Sequence, residues 1–402
     1  MIELLRGVRV LECAVLFNGD QTGRLLGDLG ADVIKVEAPG VGDYLRNFLG
    51  QITPHNSPAH LYVNRNKRSL TLDLRSEDGR EIFFDLLRET DIFVDGFAAD
   101  ACKKLGVGYE AQKEVKPDII YCQCSGYGAE GPYAAIPTHG AMMGALVGST
   151  PIEMGSDGMT YQKGGDSGDG TTLGATNTAL TAVAALSYRD RTGKGVYIDG
   201  AGSDSVLSSQ WYGATYRWNN DRITDRRGMS RAGGNSDSAK YQFYETEDEK
   251  FILFCGIEHK FWDAFCRAVG RTDLLSAKDG QGPVDFAGGD IELRRELQSI
   301  FHTRTLAEWI QVAIEHDIAM GPSHSLEDLR EDPHLLAREI LHEEDHPQAG
   351  AFTSVGWPAP VRDQPFEVQL PAPALGEHTG EILTELGCSE DRIHDLRERK
   401  VV

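Results

Sequence analysis

Strand, helix and strand follow one another within the first 37 residues, and this order narrows the fold more than any other feature. Val8–Glu12 (VRVLE) reads as a short strand. Gln21–Leu29 (QTGRLLGDL) carries apolar residues at helical spacing, and Gly30 is placed to cap it. Asp32–Glu37 (DVIKVE) is the second strand. A helix between two strands is the crossover that parallel pairing requires. The pattern then repeats. Ser69–Asp73, Ile92–Val94 and Asp118–Cys124 (DIIYCQC) read as strands, with helices at Glu77–Thr90 and Ala99–Leu105. Alternating units with nearly continuous apolar strands predict a doubly wound α/β core.

The stretch from Gly126 to Asp199 holds most of the candidate chemistry. It contains GYGAEGPY, His139 beside Gly140, GGDSGDG around Asp166 and Asp169, and a small-residue run ending in RTGKGVYID. Thr176–Tyr188 (TNTALTAVAALSY) has almost no charge and predicts a central buried helix, with Val196–Asp199 as the next strand. From about Asn219 to Asp237 the chain turns polar and reads as a linker. Strands at Tyr241–Glu245 and Phe251–Cys255 follow, then helices at His259–Val269, Ile291–His302 and Thr305–Glu315. After Leu335 come strand-like pieces, proline turns and a helix at Gly380–Leu386.

Charge and cysteine usage narrow the partners. The net charge of −22 argues against nucleic acid, because neutralising phosphates needs basic surface. A small phosphorylated ligand needs only one local basic patch, and Asn64–Ser69 (NRNKRS) supplies one. That cluster reads either as a phosphate holder or as a solvated turn before a strand. The seven cysteines are odd in number and scattered, and Cys122-x-Cys124 lacks redox or zinc spacing, so reduced thiols and a cytoplasmic location are expected. The charged N-terminus is no signal peptide, and no window approaches the ~18 apolar residues of a membrane span.

Gly126-x-Gly128-x-x-Gly131 fits a dinucleotide fingerprint, but Pro132 follows at once where a helix has to start. It reads better as a glycine turn at the carboxyl end of a strand. Asp169 has two readings from spacing: a nucleophile among glycines, or the N-cap of the following helix, a role open also to Thr171 and Thr172. Asp166 and Asp169 lack a third ligand, so no metal is expected. His139 alone reads as structural, and Glu258 in CGIEHKFW as a carboxylate favoured at a helix N-terminus. Trp211, Tyr212 and Trp218 read as core or as a substrate pocket.

The segments LGADVIKVE, NKRS, GYGAEGPY, GGDSGDG, RTGKG and PAPALGEHTGEIL together resemble the family III CoA-transferases, the CaiB/BaiF type, in family order over nearly the whole chain. The resemblance implies a large Rossmann-like domain plus a smaller α+β domain, in a homodimer of interlocked rings. It implies domains at 1–218, 219–334 and 335–402, the last returning to the large domain. It also implies transfer of CoA from an acyl-CoA donor to a carboxylic acid acceptor, with no permanently bound cofactor. Asp169 matches the nucleophile, with Asp166 competing, through an aspartyl anhydride and an aspartyl-CoA thioester. Lys35, Asn64, Lys67, Arg68, Phe97 and Lys104 fall in segments that line the CoA site, and Gly233 and Gly234 resemble a glycine loop over the aspartate. Departures occur at Gly96-Phe97-Ala98-Ala99-Asp100 and at Phe17-Asn18. The α-methylacyl-CoA racemases are an alternative within the same superfamily. They imply catalytic roles for His139, which lies 30 residues before Asp169, and for Glu258, but Gly140 departs from their motif. A non-catalytic CoA-binding protein is the second alternative.

Overall fold

The computed structural model describes residues 2–97, 100–163, 169–225, 237–276 and 284–402. Two compact units emerge: Met1–Tyr216 with Glu339–Val402, and Arg217–Arg338.

In the first unit β1 (Arg9–Ala14), α1 (Asn18–Asp28), β2 (Asp32–Glu37), α2 (Pro58–Val63), β3 (Lys67–Thr71), α3 (Glu77–Arg88) and β4 (Ile92–Gly96) follow in order. After them come α4 (Ala101–Lys104), α5 (Tyr109–Val115), β5 (Ile120–Ser125), α6 (Gly140–Leu146), a small hairpin of β6 (Ile152–Met154) and β7 (Thr160–Gln162), α7 (Gly170–Thr192), β8 (Val196–Ala201), α8 (Gly202–Ser209) and α9 (Trp211–Trp218), whose last two residues belong to the second unit. Six strands form one sheet in the order β3-β2-β1-β4-β5-β8, and every pairing is parallel. Strand order reverses between β1 and β4, where Ala14 pairs with Gly96. A crevice opens at the carboxyl ends of strands at such a reversal.

Glycines set how closely α1 lies on the sheet. Gly19, Gly23 and Gly27 recur every fourth residue and so share one helix face. A Cβ on Gly19 would sit 2.9 Å from Gly96 Cα, one on Gly23 would sit 1.7 Å from Glu12 Oε2, and one on Gly27 would sit 2.9 Å from Asn66 O. The helix starts at Asn18, three residues before the apolar spacing predicts, because this small-residue face carries no apolar signal. On one face of the sheet Phe83, Phe93, Tyr121 and Leu86 build the core, and the C-terminal helices α14 (Thr379–Glu385) and α15 (Glu390–Glu398) add Ile382, Leu383, Ile393 and Leu396. Ser389 caps α15, which sequence patterning misses because Ile393 and Leu396 are its only buried residues.

α7 corrects one expectation. It runs over Gly170–Thr192 and is buried on one face only, through Ala175, Ala179, Ala182 and Ala185, while Leu180 on the other face is 68% exposed. Gly193 ends it in the left-handed conformation at φ 69°.

The second unit has an antiparallel sheet of β9 (Tyr241–Glu245), β10 (Phe251–Cys255) and β11 (Met320–Ser323), ordered β11-β10-β9. Its helices are α10 (His259–Ala268), α11 (Ile291–Phe301), α12 (Leu306–His316) and α13 (Pro333–Ala337). Phe254, Phe265, Phe301 and Trp309 form one aromatic cluster in its core. Thr305 and Glu308 form a reciprocal capping box on α12. The chain then re-enters the first unit through the hairpin of β12 (Leu341–His346) and β13 (Gly350–Val355). No helix among the described residues is long and apolar enough to cross a membrane.

Gly23→Ala places a methyl group against the buried Glu12 carboxylate. It is expected to lower stability by about 1–3 kcal/mol, the usual cost of overpacking, measured as a drop in urea midpoint at constant m-value.

Candidate active site

In a β5–α7–β8 crossover the helix runs back against the strands, so the N-terminus of α7 lies at the carboxyl edge of the sheet. Asp169 is the N-cap there, with extended φ and ψ of −71° and 95°. Its Oδ1 accepts from the backbone N–H of Thr171 (2.9 Å) and of Thr172 (3.2 Å), and from the Thr171 hydroxyl (2.5 Å). Its Oδ2 accepts from the Thr172 hydroxyl (2.5 Å). Burial alone would raise this carboxyl, but the two hydroxyls and two N–H groups hold it below the usual carboxylate range. Asp169 is therefore an ionised, exposed carboxylate at the positive end of a 23-residue helix.

Three other helix and turn ends converge on this one. The glycine turn is fixed from behind: Asp199 of β8 accepts the Ala129 N–H with both oxygens, at 2.9 and 3.0 Å. Gly128 sits at φ 89° and donates its N–H to Ser125 Oγ. Ser203 at the start of α8 donates its N–H to Gly126 O. The Tyr127 hydroxyl donates to Met142 O, which ties the turn to α6. His139 is the exposed N-cap of α6. One turn further, Met143 packs on both Gly170 and Gly202; a Cβ on Gly170 would sit 2.6 Å from Met143 Cβ. The N-termini of α6, α7 and α8 thus meet, and Gly170 and Gly202 are glycines because nothing larger fits beside Met143. Among the described residues no hydrogen bond joins His139 to Asp169.

The family model described as "CoA-transferase family III" matches residues 5–379. The chain belongs to family III of the CoA-transferases. The transferase is 30% identical to a formyl-CoA:oxalate CoA-transferase of Bradyrhizobium diazoefficiens over 99% of this chain and 97% of that one. It is 31% identical to one of Afipia carboxidovorans with the same coverage. Among solved structures it resembles a CaiB/BaiF family protein from Brucella suis, at a TM-score of 0.73 and 27% identity, covering 96% of this chain and 100% of that one.

The remaining candidates of the transferase are dispersed. Asp166, Gly233 and Gly234 lie outside the described residues. Glu258 belongs to the second unit, at the N-cap of α10. Phe97 follows β4 at the strand reversal and packs on the core, its N–H donated to Asp95 Oδ1 at 3.1 Å. Asp95 in turn accepts the Tyr121 hydroxyl at 2.5 Å. Lys104 is exposed and pairs with Asp100 at 2.7 Å. Trp211 and Tyr212 are 64% and 62% exposed, so neither is core in this chain.

Lys35, Asn64 and Lys67 are fully buried. Lys35 Nζ bonds Glu12 Oε1 (3.2 Å), Ala14 O (3.1 Å) and Asp20, and pairs with Asp43 Oδ2 (2.8 Å). Lys67 Nζ bonds Glu12, Asp20 O and Asn64 Oδ1 at 2.8–3.0 Å. Burial and the neighbouring Asp43 push the Asp20 carboxyl up, while Lys35 overcomes the effect of burial and holds Asp43 low. Arg68 spans Asp32 on β2 and Glu381 and Glu385 on α14. The basic cluster at Asn64–Ser69 is therefore turned inward, and any external anion would have to displace carboxylates to reach the Lys67 ammonium or the Arg65 and Arg68 guanidinium groups.

Sequence reasoning missed these carboxylate partners, and also the environment of Arg65 in the same cluster, whose guanidinium bonds Asp28 and Val355 O and lies 4.8 Å from the Tyr62 and Phe366 ring centroids. Their positions in sequence carry no signal, since Glu12, Asp20 and Asp43 fall in three different elements or loops.

His60 sits at the edge of the same network. Burial and Arg46, whose Nη1 is 3.2 Å from Nε2, push its pKa down to about 3. An unfolded histidine titrates near ~6.5. Between those values the unfolded chain holds a proton that the native chain lacks, so stability falls as pH drops through this window. In His60→Gln the stability lost between about pH 7 and about pH 5 is expected to shrink by ~2 kcal/mol relative to wild type, read from urea titrations at both pH values.

Proposed function

We propose that this family III CoA-transferase passes CoA from an acyl-CoA to a carboxylic acid through covalent intermediates on Asp169. The observation that carries the reading is the Asp169 carboxylate itself: ionised, exposed and capping α7 among glycines that keep side-chain bulk away. A carboxylate suits this task because its mixed anhydride is reactive enough to hand the acyl group on, and splitting the transfer lowers each barrier. The 30–31% identical relatives are formyl-CoA:oxalate CoA-transferases, so formyl-CoA and oxalate are the first pair to assay.

The segments bearing Lys35, Asn64, Lys67 and Arg68 act in this reading as the wall of the CoA site, held rigid by their buried ion pairs. Phe97 and Lys104 are the candidates to touch the ligand, at the strand reversal and on exposed surface. A homodimer of interlocked subunits is part of the same proposal. Its support is the set of large apolar side chains exposed on α7 and α9, Leu180, Trp211, Tyr212 and Tyr216. Light scattering on the purified protein is expected to give twice the 44.1 kDa chain mass.

Asp169→Ala is expected to lower transfer at least ~10³-fold, by analogy with loss of other covalent nucleophiles. Hydroxylamine added during turnover should convert Asp169 of the wild type to a hydroxamate, seen by peptide mass spectrometry. Full transfer activity in Asp169→Ala would sink the reading. Exchange of the α-proton of a 2-methylacyl-CoA in deuterated water without acceptor acid would favour the racemase alternative. Retention of CoA with neither activity would indicate a binding protein.

A further inference from the structure

The hydrogen bonds on Asp169 are unequal, and the inequality bears on catalysis. Oδ1 receives three donors, two of them backbone N–H groups that belong to the helix and do not move. Among the described residues Oδ2 receives one, from a side-chain hydroxyl free to rotate away. Covalent catalysis through a carboxylate asks its two oxygens for different things. One must give up a lone pair to the acyl carbon. The other must accept negative charge whenever the aspartyl carbon becomes tetrahedral.

We propose that Thr171 and Thr172 divide these tasks: Oδ2 is the attacking oxygen, and Oδ1 sits in an oxyanion hole built from the N–H groups of Thr171 and Thr172 and the Thr171 hydroxyl. This rests on Asp169 being the nucleophile. In the first step an Oδ2 lone pair forms the bond to the acyl carbon, the carbon–sulfur bond breaks, and CoA leaves as thiolate with the bonding pair. The thiolate then adds to the aspartyl Cγ, and the carbonyl pair moves onto Oδ1 beneath its three donors. Collapse breaks the Cγ–Oδ2 bond, and the donor acid departs as a carboxylate carrying Oδ2. The acceptor carboxylate next adds to Cγ of the aspartyl thioester, again charging Oδ1, and the thiolate leaves. Finally the thiolate adds to the acceptor's acyl carbon, and the bridging oxygen stays on Cγ as the new Oδ2. No proton is gained or lost, so no general acid or base is required.

The two hydroxyls then have opposite effects. The Thr171 hydroxyl stabilises charge at the two steps where Cγ becomes tetrahedral, so it is a catalytic residue. The Thr172 hydroxyl stabilises the resting carboxylate and must release Oδ2 before attack. A helix cap alone predicts no such asymmetry, because both threonines would merely fix the same turn.

The test uses the full-length protein with donor acyl-CoA and no acceptor, quenched on the millisecond scale and read by intact mass. Formyl-CoA is the first probe, then succinyl-CoA and oxalyl-CoA. Wild type is expected to accumulate the CoA–enzyme adduct, located at Asp169 by hydroxylamine. Thr171→Val should form that adduct roughly 10- to 100-fold more slowly, toward the range seen when one oxyanion donor is removed, and should accumulate acyl–enzyme instead. Thr172→Val should form acyl–enzyme at least as fast as wild type. Thr171→Ser, which restores the hydroxyl, should restore the wild-type partition, and Thr171→Ala repeats the loss if the valine variant folds poorly. An unchanged partition in Thr171→Val and Thr171→Ala overturns the inference while leaving Asp169 as nucleophile. So does equal slowing of both steps by Thr171→Val and Thr172→Val. Absence of any Asp169 adduct in wild type, with all three donors, overturns the nucleophile reading itself.

Discussion

Two lysines with no exposure to water hold the N-terminal edge of the parallel sheet together. Lys35 on β2 and Lys67 on β3 both reach Glu12 on β1, and both contact Asp20 on α1. An unpaired buried ammonium is far too costly to keep, so each arrangement of strands that folds must deliver carboxylates to these two positions. The same constraint fixes α1, because Gly23 leaves just enough room for Glu12. It also fixes the loop after β1, where Asp43 accepts the Leu16 N–H at 3.1 Å while pairing with Lys35. Leu16 is left at φ 63°, a conformation that a bulky residue holds only when its surroundings dictate it. The strand reversal between β1 and β4 is shaped by this loop on one side and by Asp95, holding Phe97, on the other.

At the other end of the sheet the organising device is a set of helix N-termini rather than ion pairs. α6, α7 and α8 begin close together, with Met143 wedged between Gly170 and Gly202. Their partial positive charges add in one place, and Asp169 is the carboxylate that sits there. Capping and catalysis, which compete as explanations when only spacing is considered, are compatible once the hydrogen bonds are known. The donors that satisfy the first turn of α7 are the same groups that keep Asp169 ionised. Asp199 supports the arrangement from beneath by fixing the glycine turn, and burial raises its carboxyl even as Ala129 donates to it.

Legibility in the sequence followed the strength of local pattern. Strands β9 and β10 match their expected bounds, since each is a short run with turn residues at both ends. Apolar spacing misses the first turns of α1 and α7 because glycine, threonine and alanine carry little periodic signal, although the N-cap reading of Asp169 places the start of α7 where it falls. The hairpin of β6 and β7 was missed because all its residues are exposed, so no alternation marks a buried face. In the sequence alone the basic cluster at Asn64–Ser69 reads as facing solvent or ligand. Its true environment depends on Glu12, Asp28 and Asp32, and on Glu381 and Glu385 more than 300 residues away.

The sequence by itself determined the alternation of strands and helices, the glycine turns and the family motifs in order, because each is a property of neighbouring residues. Only the tertiary structure decided which charges are buried in pairs and which of the two Asp169 oxygens is more tightly held. It also decided which helix ends converge on that carboxylate. Those outcomes depend on chain segments far apart in sequence meeting at distances of about 3 Å, where hydrogen bonding and desolvation are settled.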